Sequence, residues 1–287
     1  MISKVRDLIQ KAPINLLKMN VYGFSLLPSA LISRLFHYKV TRYLGLGIFC
    51  IFFAQINRDY RKFAKVLAKH LRDNGKCHAQ QLQDVAALAF GSGQYTNHDE
   101  KFFLDIGAAY PLKYSNSAEL QRLGWHGVLV DPNPTLYEEL LTLRASANVR
   151  VLRYAIGDGS EVPKLLNSGP LSSLIRAERT DIYDVLRNDI SSNMENPVID
   201  VEIVKPLELL EMCDAPRKIQ MLSIDTEGNE LGILQKFPFD KYEVDFVTCE
   251  HNFEWKKLSE IESLMQWRGY RRIMSFWSAQ DAWFIKT

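Results

Sequence analysis

The chain has 287 residues, of which 47% are hydrophobic and 24% charged, an ordinary composition for one large globular domain with an extension. Its net charge of +1 is unevenly distributed, because residues 1–76 hold 14 Lys and Arg against 3 Asp and Glu, and residues 77–287 hold 21 against 31. The absence of internal repeats and low-complexity tracts from the sequence excludes a solenoid or a compositionally biased chain.

Residues 1–76 are predicted to form a basic helical extension to a domain at 77–287. The most apolar run, LGLGIFCIFFAQI at 44–56, has 13 residues, whereas a membrane-spanning helix needs about 18 or more. Two interpretations stay open: a helix buried against the domain or against a second subunit of a homo-oligomer, or an anchor on the membrane surface. The charge of +11 suggests an anionic partner, and we favour peripheral membrane contact over nucleic acid.

The four cysteines are far apart in the sequence and form no CxxC pair: Cys50, Cys77, Cys213 and Cys249. They are predicted to be reduced thiols of a cytoplasmic protein, without a zinc site. The first 20 residues lack the continuous apolar stretch of a signal peptide. We therefore expect a cytoplasmic location, with the inner face of the membrane as an option.

From about residue 100, short apolar runs typical of strands alternate with runs typical of helices, which predicts a parallel sheet covered on both faces. Strands are predicted at 101–106, 127–131, 149–155, 198–204, 219–225, 244–250, 271–277 and 282–286. Helices are predicted at 117–123, 135–146, 207–212, 230–236 and 254–268. The last of these helices is expected to bury a stripe at helical spacing: Trp255, Leu258, Ile261, Leu264 and Met265.

Only SAQD at 278–281 separates the last two predicted strands, and so short a link allows a hairpin but not a parallel crossover. A mostly parallel, doubly wound sheet that ends in an antiparallel hairpin is the layout of class I methyltransferases. A dehydrogenase half would instead keep adding parallel strands. The predicted fold class is therefore α/β with this Rossmann-like layout, plus the N-terminal helical extension.

Polar groups follow five predicted strands at their carboxyl ends, where a doubly wound sheet binds its ligand. Gly107 lets the backbone approach a ligand closely, and Asp131 is placed to accept both hydroxyls of a ribose. Asp158 is a candidate acceptor for an adenine amino group, although its GDG triplet is also typical of a turn. The five strand ends are DIGA at 105–108, DPNP at 131–134, AIGD at 155–158, IDTEGNE at 224–230 and EHN at 250–252.

In combination these motifs resemble the FkbM family of S-adenosylmethionine-dependent methyltransferases, over about residues 79–287. AQQLQDVAAL at 79–88 is also similar to the segment that precedes the first strand in that family. The resemblance implies S-adenosylmethionine as the cofactor and methyl transfer to a hydroxyl of a sugar, glycan or glycolipid-type acceptor. It further implies cofactor contacts from Asp105, Gly107 and Ala108 on the methionine and ribose side, Asp131 at the ribose, Asp158 at the adenine and Asp225 near the sulfonium.

The loop after the first strand departs from the family, because Pro111 stands where the family more often has glycine. The fixed φ of proline excludes a left-handed conformation, so this turn must be built differently. Ser115 or Asn116 is predicted to cap the helix that follows.

A sugar hydroxyl has a high pKa, so its attack on a methyl group benefits from a general base. His251 is the candidate base, because histidine is best matched to this role at neutral pH, and Glu227 or Glu250 would orient it. Convergence of Asp225, Glu227 and Glu250 on Mg²⁺ is the other option. The spacing does not demand a metal, and none is predicted.

Residues 160–197 form a long polar insertion that is predicted to carry substrate contacts or a lid, with Arg176, Arg179 and Arg187 as candidates. Two alternatives to methyl transfer stay open. One is a nicotinamide-dependent oxidoreductase, which the first strand and Asp131 favour but the single-glycine loop and the terminal hairpin do not. The other is a non-catalytic, membrane-associated Rossmann-like module.

Overall fold

The structure is a computed structural model that describes residues 58–91, 101–159, 161–175 and 184–287. Its helices are α1 (Arg58–Arg72), α2 (Gln83–Phe90), α3 (Ala118–Arg122), α4 (Pro134–Arg144), α5 (Asp184–Ser192), α6 (Pro206–Met212), α7 (Glu230–Lys236) and α8 (Trp255–Trp267). Its strands are β1 (Phe102–Ile106), β2 (His126–Val130), β3 (Val149–Leu152), β4 (Ala155–Ile156), β5 (Lys164–Leu166), β6 (Ser173–Leu174), β7 (Val198–Asp200), β8 (Ile203–Val204), β9 (Lys218–Ile224), β10 (Glu243–Glu250), β11 (Tyr270–Ile273) and β12 (Asp281–Lys286).

The central sheet of the described residues has seven strands in the order β11-β12-β10-β9-β1-β2-β3. The five strands from β10 to β3 pair in parallel. Strand β12 runs antiparallel to both β10 and β11. The predicted mixed α/β architecture with a mostly parallel sheet is therefore confirmed, and the last two strands pair antiparallel as expected.

Helices cover both faces of this sheet, which explains why its strands read as nearly continuous apolar runs. On one face, buried side chains of α6, α7 and α8 pack on the sheet, with Leu209, Ile233 and Ile261 fully enclosed. On the other face, the Phe63 ring of α1 lies 6.2 Å from the Trp283 ring, and the Phe90 ring of α2 lies 6.2 Å from the Phe246 ring. Every residue of β1 is buried between these layers.

Two predicted strands are each divided in the structure. The run 149–155 leaves the central sheet after Leu152, and Ala155–Ile156 pairs instead with Ile203–Val204. The run 198–204 joins no strand of the central sheet, because its first part, Val198–Asp200, pairs antiparallel with β5. Prediction of a single strand was wrong in both places, since apolar patterning does not specify which partner a strand has.

Two further expectations are corrected near the carboxyl terminus. The strand predicted to reach residue 277 ends at Ile273, because Met274 takes a left-handed φ of 52° and starts a turn. In α8, Leu258, Ile261 and Met265 are buried as expected. Trp255 is 74% exposed, because it stands at the first position of the helix and points away from the core.

Helix α1 is the described part of the predicted extension, and it belongs with the sheet to one unit, Ala54–Thr287. Its Asp59 pairs with Arg271 of β11 through two contacts of 2.6 and 2.9 Å. The apolar run at 44–56 lies outside the described residues, so the predicted boundary at residue 76 stays a prediction. No helix in the described ranges is long and apolar enough to cross a membrane.

Candidate functional site

The carboxyl ends of β1, β2 and β9 meet at one edge of the central sheet and line a cavity, because β1 lies between the other two strands. The strand ends contribute Ile106, Gly107, Ala109, Asp131, Asp225, Thr226 and Glu227. The insertion between β4 and β7 contributes a further wall of Leu165, Gly169, Pro170, Ser172 and Leu174. The cavity therefore lies where a doubly wound sheet binds its ligand.

Gly107 stands where the loops after β1 and β9 come closest. It has a φ of +81°, and its N–H donates to the carbonyl of Val130 at 2.8 Å. A Cβ atom at this position would lie 1.7 Å from the carbonyl oxygen of Asp225. Only glycine fits here, so the two backbones form one continuous wall of the cavity.

Asp131 follows β2 and is 5% exposed. Its Oδ1 accepts from the backbone N–H of Asn133, and its Oδ2 accepts from that of Ala109, both at 2.9 Å. Burial raises the pKa of Asp131 to about 6, and the negative charge of Asp105 acts in the same direction. Each carboxylate oxygen keeps a second lone pair, so Asp131 can still accept hydrogen bonds from a ligand.

Asp105 ends β1 but is not among the residues that line the cavity. Its carboxylate is buried and accepts from the Ser117 hydroxyl at 2.6 Å. Burial raises its pKa, although hydrogen bonds from Ser117 and Ser223 and the charge of Arg144 partly oppose this. Asp105 thus ties the loop after β1 to the start of α3.

Arg144, the last residue of α4, fixes this loop from another direction. Its buried guanidinium donates to the carbonyl of Pro111 at 2.6 Å and to the Ser115 hydroxyl at 3.1 Å. The Ser115 hydroxyl in turn accepts from the backbone N–H of Ala118 at 3.2 Å, although the N-cap residue of α3 is Ser117, whose side chain makes no capping hydrogen bond. A buried arginine therefore supports the turn that contains Pro111. Sequence reasoning missed Arg144, because its partners lie 33 and 29 residues away.

Three carboxyl groups gather where β9 and β10 end. Asp225 lines the cavity and is hydrogen-bonded to Glu250, while Glu227, at a φ of 56°, lines the cavity beside it. Burial first, and then the neighbouring negative charges, raise the pKa of Asp225 and of Glu250 well above the ordinary range. Within the described ranges, Asp225 Oδ1 has no hydrogen-bond partner.

Glu230 organises the loop that carries Glu227. Its Oε1 accepts from the backbone N–H of Thr226 at 2.9 Å and of Gly228 at 2.7 Å. Lys257 of α8 places Nζ 2.5 Å from the other oxygen, Oε2. Burial alone would raise the pKa of Glu230, but the Lys257 ammonium outweighs it and the pKa is lowered. Sequence reasoning assigned no role to Lys257, because the apolar pattern of its helix does not indicate that a lysine is buried there.

The same region holds the one group of carboxylates in the described part of the chain whose oxygens are close enough together to bind a single metal ion. Carboxylate oxygens of Asp225, Glu230 and Glu250 lie within 4.8 Å of one another, with Glu230 in the place predicted for Glu227. The Lys257 ammonium already forms an ion pair with Glu230, and Glu250 is hydrogen-bonded to Asp225. A divalent cation would have to compete with these contacts for the same carboxylate oxygens.

His251 is 1% exposed, and its ring lies 6.1 Å from that of Phe253. Burial, and then the positive charge of Arg272, lower the pKa of His251 to about 4, so the imidazole is neutral. The backbone N–H of His251 donates to the carbonyl of Gln280 at 2.8 Å, which joins the end of β10 to the terminal hairpin.

Asp158 lies in a turn. The Glu161 carboxylate accepts from the backbone N–H of Asp158 at 3.1 Å and from that of Gly159 at 3.0 Å. Asn229 donates to the same carboxylate at 2.8 Å and itself lines the cavity. The turn interpretation of the GDG triplet therefore describes this segment well.

Four of the nine predicted site residues line the cavity: Gly107, Asp131, Asp225 and Glu227. Five are not among its lining residues: Asp105, Ala108, Asp158, Glu250 and His251. Sequence reasoning assigned no role to Tyr154, which directly precedes the quoted AIGD motif, or to Asn229, which lies within the quoted IDTEGNE motif. Of the candidate arginines, Arg176, Arg179 and the side chain of Arg187 lie outside the described residues.

Comparison with known families gives one match, in which the model of the methyltransferase FkbM domain covers residues 105–272. The matched region begins at the end of β1 and ends in β11, so it includes the strand ends that line the cavity. No curated protein and no solved structure matched the chain.

Proposed function

Because the chain belongs to the FkbM methyltransferase family, we propose that it is an S-adenosylmethionine-dependent O-methyltransferase that acts on a hydroxyl of a sugar, glycan or glycolipid. The observation that carries the proposal is the cavity at the strand ends, where Gly107 and Asp225 pack backbone to backbone beside Asp131. The family favours methyl transfer over the nicotinamide-dependent reaction that the same strand ends permit.

The strand order supports a class I methyltransferase sheet. Parallel strands on both sides of β1, followed by the antiparallel β12 and the edge strand β11, give that layout. A βαβ dinucleotide half would instead continue the sheet with parallel strands.

The residues at the cavity fit S-adenosylmethionine, which when bound supplies a methyl group activated by its sulfonium. Asp131 would accept from the ribose hydroxyls through lone pairs that its two backbone contacts leave available. Asp225 Oδ1, buried and without a partner among the described residues, would accept from the amino group of the methionine part. Because Gly107 has no side chain, the loop after β1 packs directly against the backbone of Asp225, and the two loops together form the cavity wall that the cofactor would contact.

The acceptor hydroxyl must lose its proton as the new carbon–oxygen bond forms, and a nearby base promotes this step. We assign the role of general base to Glu227, because this residue lines the cavity. His251 was the expected base, but its ring is enclosed and its pKa of about 4 makes it a weak proton acceptor. The negative charge of Glu227 also favours the sulfonium electrostatically.

Binding of S-adenosylhomocysteine, measured by isothermal titration calorimetry, tests the cofactor site. Asp131→Ala is expected to abolish binding, whereas Asp158→Ala, at an acidic residue outside the cavity lining, should keep the Kd within about threefold. NAD⁺ should not bind the wild type. Retained binding in Asp131→Ala, or binding of NAD⁺ in place of S-adenosylhomocysteine, would refute this placement.

Transfer of a labelled methyl group to a panel of glycan and glycolipid acceptors tests the chemistry. Glu227→Gln should lower kcat by a factor of about 10²–10⁴, the usual loss of a general base, with little change in the affinity for S-adenosylhomocysteine, which lacks the sulfonium charge. His251→Asn is the comparison variant and should lose much less. The opposite ranking would return the role of base to His251.

A glycolipid acceptor would be met at a membrane, and the basic extension favours the inner face as the place of action. A soluble sugar derivative would need no such surface. Comparing the two kinds of acceptor in the methyl-transfer assay distinguishes them by kcat/KM.

A further inference from the structure

Helix α1 presents one continuous cationic face. The cations recur at positions i, i+4, i+7, i+11 and i+14, which lie on one side of a helix. They are Arg58, Lys62, Lys65, Lys69 and Arg72, with Arg61 beside them, and all six are exposed. At about 1.5 Å per residue the row is roughly 20 Å long. We propose that this face binds the anionic lipid headgroups of a membrane surface.

The opposite face of α1 anchors the row to the folded body. The Phe63 ring lies 6.0 Å from that of Trp277 and 6.2 Å from that of Trp283. Asp59, the one acidic residue of α1, is turned inward and paired with Arg271. No acidic side chain of this helix therefore interrupts the cationic face, and the cations are presented from a fixed support.

Charge complementarity argues for anionic lipid as the occupant. Each Lys or Arg held near an anionic membrane surface strengthens binding about fivefold. The apolar face of α1 is packed on the folded body, so binding would rest on the row of cations alone, and clusters of four to eight Lys and Arg are typical of segments that bind anionic lipid. A single-stranded polynucleotide would use exposed aromatic side chains for stacking, whereas Tyr60 and Phe63 of α1 are buried.

Helix α1 is also connected to the edge of the sheet that holds the cavity. His70 Nε2 lies 3.0 Å from Glu119 of α3, the helix that follows the loop after β1. A membrane bound through α1 would therefore hold the catalytic edge at a set orientation. This inference rests on the proposed function and adds to it the place where the enzyme would meet its acceptor, the membrane surface.

Sedimentation of the full chain with vesicles tests the proposal, using phosphatidylcholine alone or mixed with phosphatidylglycerol. Lys65→Gln combined with Arg72→Gln should weaken partition to the mixed vesicles about 25-fold, at about fivefold per cation. The matched control removes two exposed lysines elsewhere, Lys236→Gln with Lys241→Gln, and should stay within about twofold of the wild type. Thermal unfolding of each variant checks that the fold is intact.

Raising the salt from about 0.1 M to about 1 M shortens the Debye length from about 10 to about 3 Å, so wild-type binding should fall steeply. Equal partition of the two double variants, or equal binding to neutral vesicles, would overturn the proposal. Binding of polyuridylate is measured in parallel. If Lys65→Gln with Arg72→Gln loses polyuridylate binding but keeps vesicle binding, the face binds nucleic acid instead. Titration of S-adenosylhomocysteine into the same variants reports the donor site separately, so failure of the membrane face and failure of the methyltransferase assignment give different results.

Discussion

Gly107 shows how much one residue decides at the carboxyl end of β1. Its φ of +81° and the 1.7 Å distance that would separate a Cβ atom here from the Asp225 carbonyl oxygen act together. The positive φ would strain the backbone of any other residue at this position. The close contact would require either the loop after β1 or the loop after β9 to move. Gly124 shares the first feature alone, with a φ of +85° and no atom within 4 Å.

Gly107→Ala is therefore expected to raise the Kd for S-adenosylhomocysteine at least about tenfold, because the displaced loop carries the cavity wall. Gly124→Ala should change the Kd less than about twofold while costing about 1–2 kcal/mol of unfolding free energy, as a left-handed alanine does. Calorimetric titration and urea unfolding measure both. Similar Kd values for the two variants would mean that the contact with Asp225 does not shape the site.

Asp131 links the site to the pH dependence of stability. Its pKa rises on folding from 3.8 to about 6, so between these values the folded state binds the proton that the unfolded state has lost. The free energy of unfolding from this group should therefore fall by about 2–3 kcal/mol as the pH rises from about 4 to about 6. The difference between wild type and Asp131→Asn in urea unfolding isolates this contribution, and a difference independent of pH would contradict it.

At the scale of elements, α7 and α8 are joined by a buried ion pair that also shapes the loop after β9. Glu230 spans both functions, with one oxygen on the backbone of Thr226 and Gly228 and the other 2.5 Å from Lys257. The loop holds Glu227 at a positive φ on the cavity wall. Helix packing and site geometry thus depend on the same carboxylate.

Lys257→Met is expected to cost about 3–5 kcal/mol of unfolding free energy, because it leaves the Glu230 charge buried without a partner. The double variant Lys257→Met with Glu230→Gln should recover most of this loss, since glutamine still accepts from the loop amides. Chemical unfolding of the single and double variants gives the coupling energy. A single variant as stable as the wild type would show that the ion pair is replaceable by solvent.

At the scale of the whole molecule, ligand binding and folding of the unit Ala54–Thr287 are linked. A ligand at about 100 times its Kd stabilises the folded state by about 2.7 kcal/mol. For a domain of this size that corresponds to a rise in Tm of roughly 5–10 °C. Excess S-adenosylhomocysteine should produce this rise in differential scanning calorimetry, and NAD⁺ at the same concentration should not. No rise with either ligand would count against a nucleoside site in this fold.

Much of the fold followed from pattern, because strands buried on both faces are continuous apolar runs and their order along the chain limits the connections. The strands β1, β2, β9 and β10 and the helices α3, α4, α6 and α7 lie close to their predicted ranges, whereas α2 and α5 were not predicted. The predictions of one continuous strand at 149–155 and at 198–204 were wrong, since strand pairing depends on partners far away in the sequence. Within the site, Gly107, Asp131 and Asp225 were predictable because each directly follows a strand, and Glu227 because it lies three residues after the end of β9.

Local order along the chain was enough to indicate the family, the mostly parallel sheet and the polar strand ends. The division of the polar groups into those that line the cavity and those that support it became visible only in the folded chain. Asp105 and His251 turned out to be enclosed, while Arg144 and Lys257 gained roles through partners distant in sequence. The physical reason is that burial, pairing and pKa are set by neighbours in space, which a linear pattern does not contain.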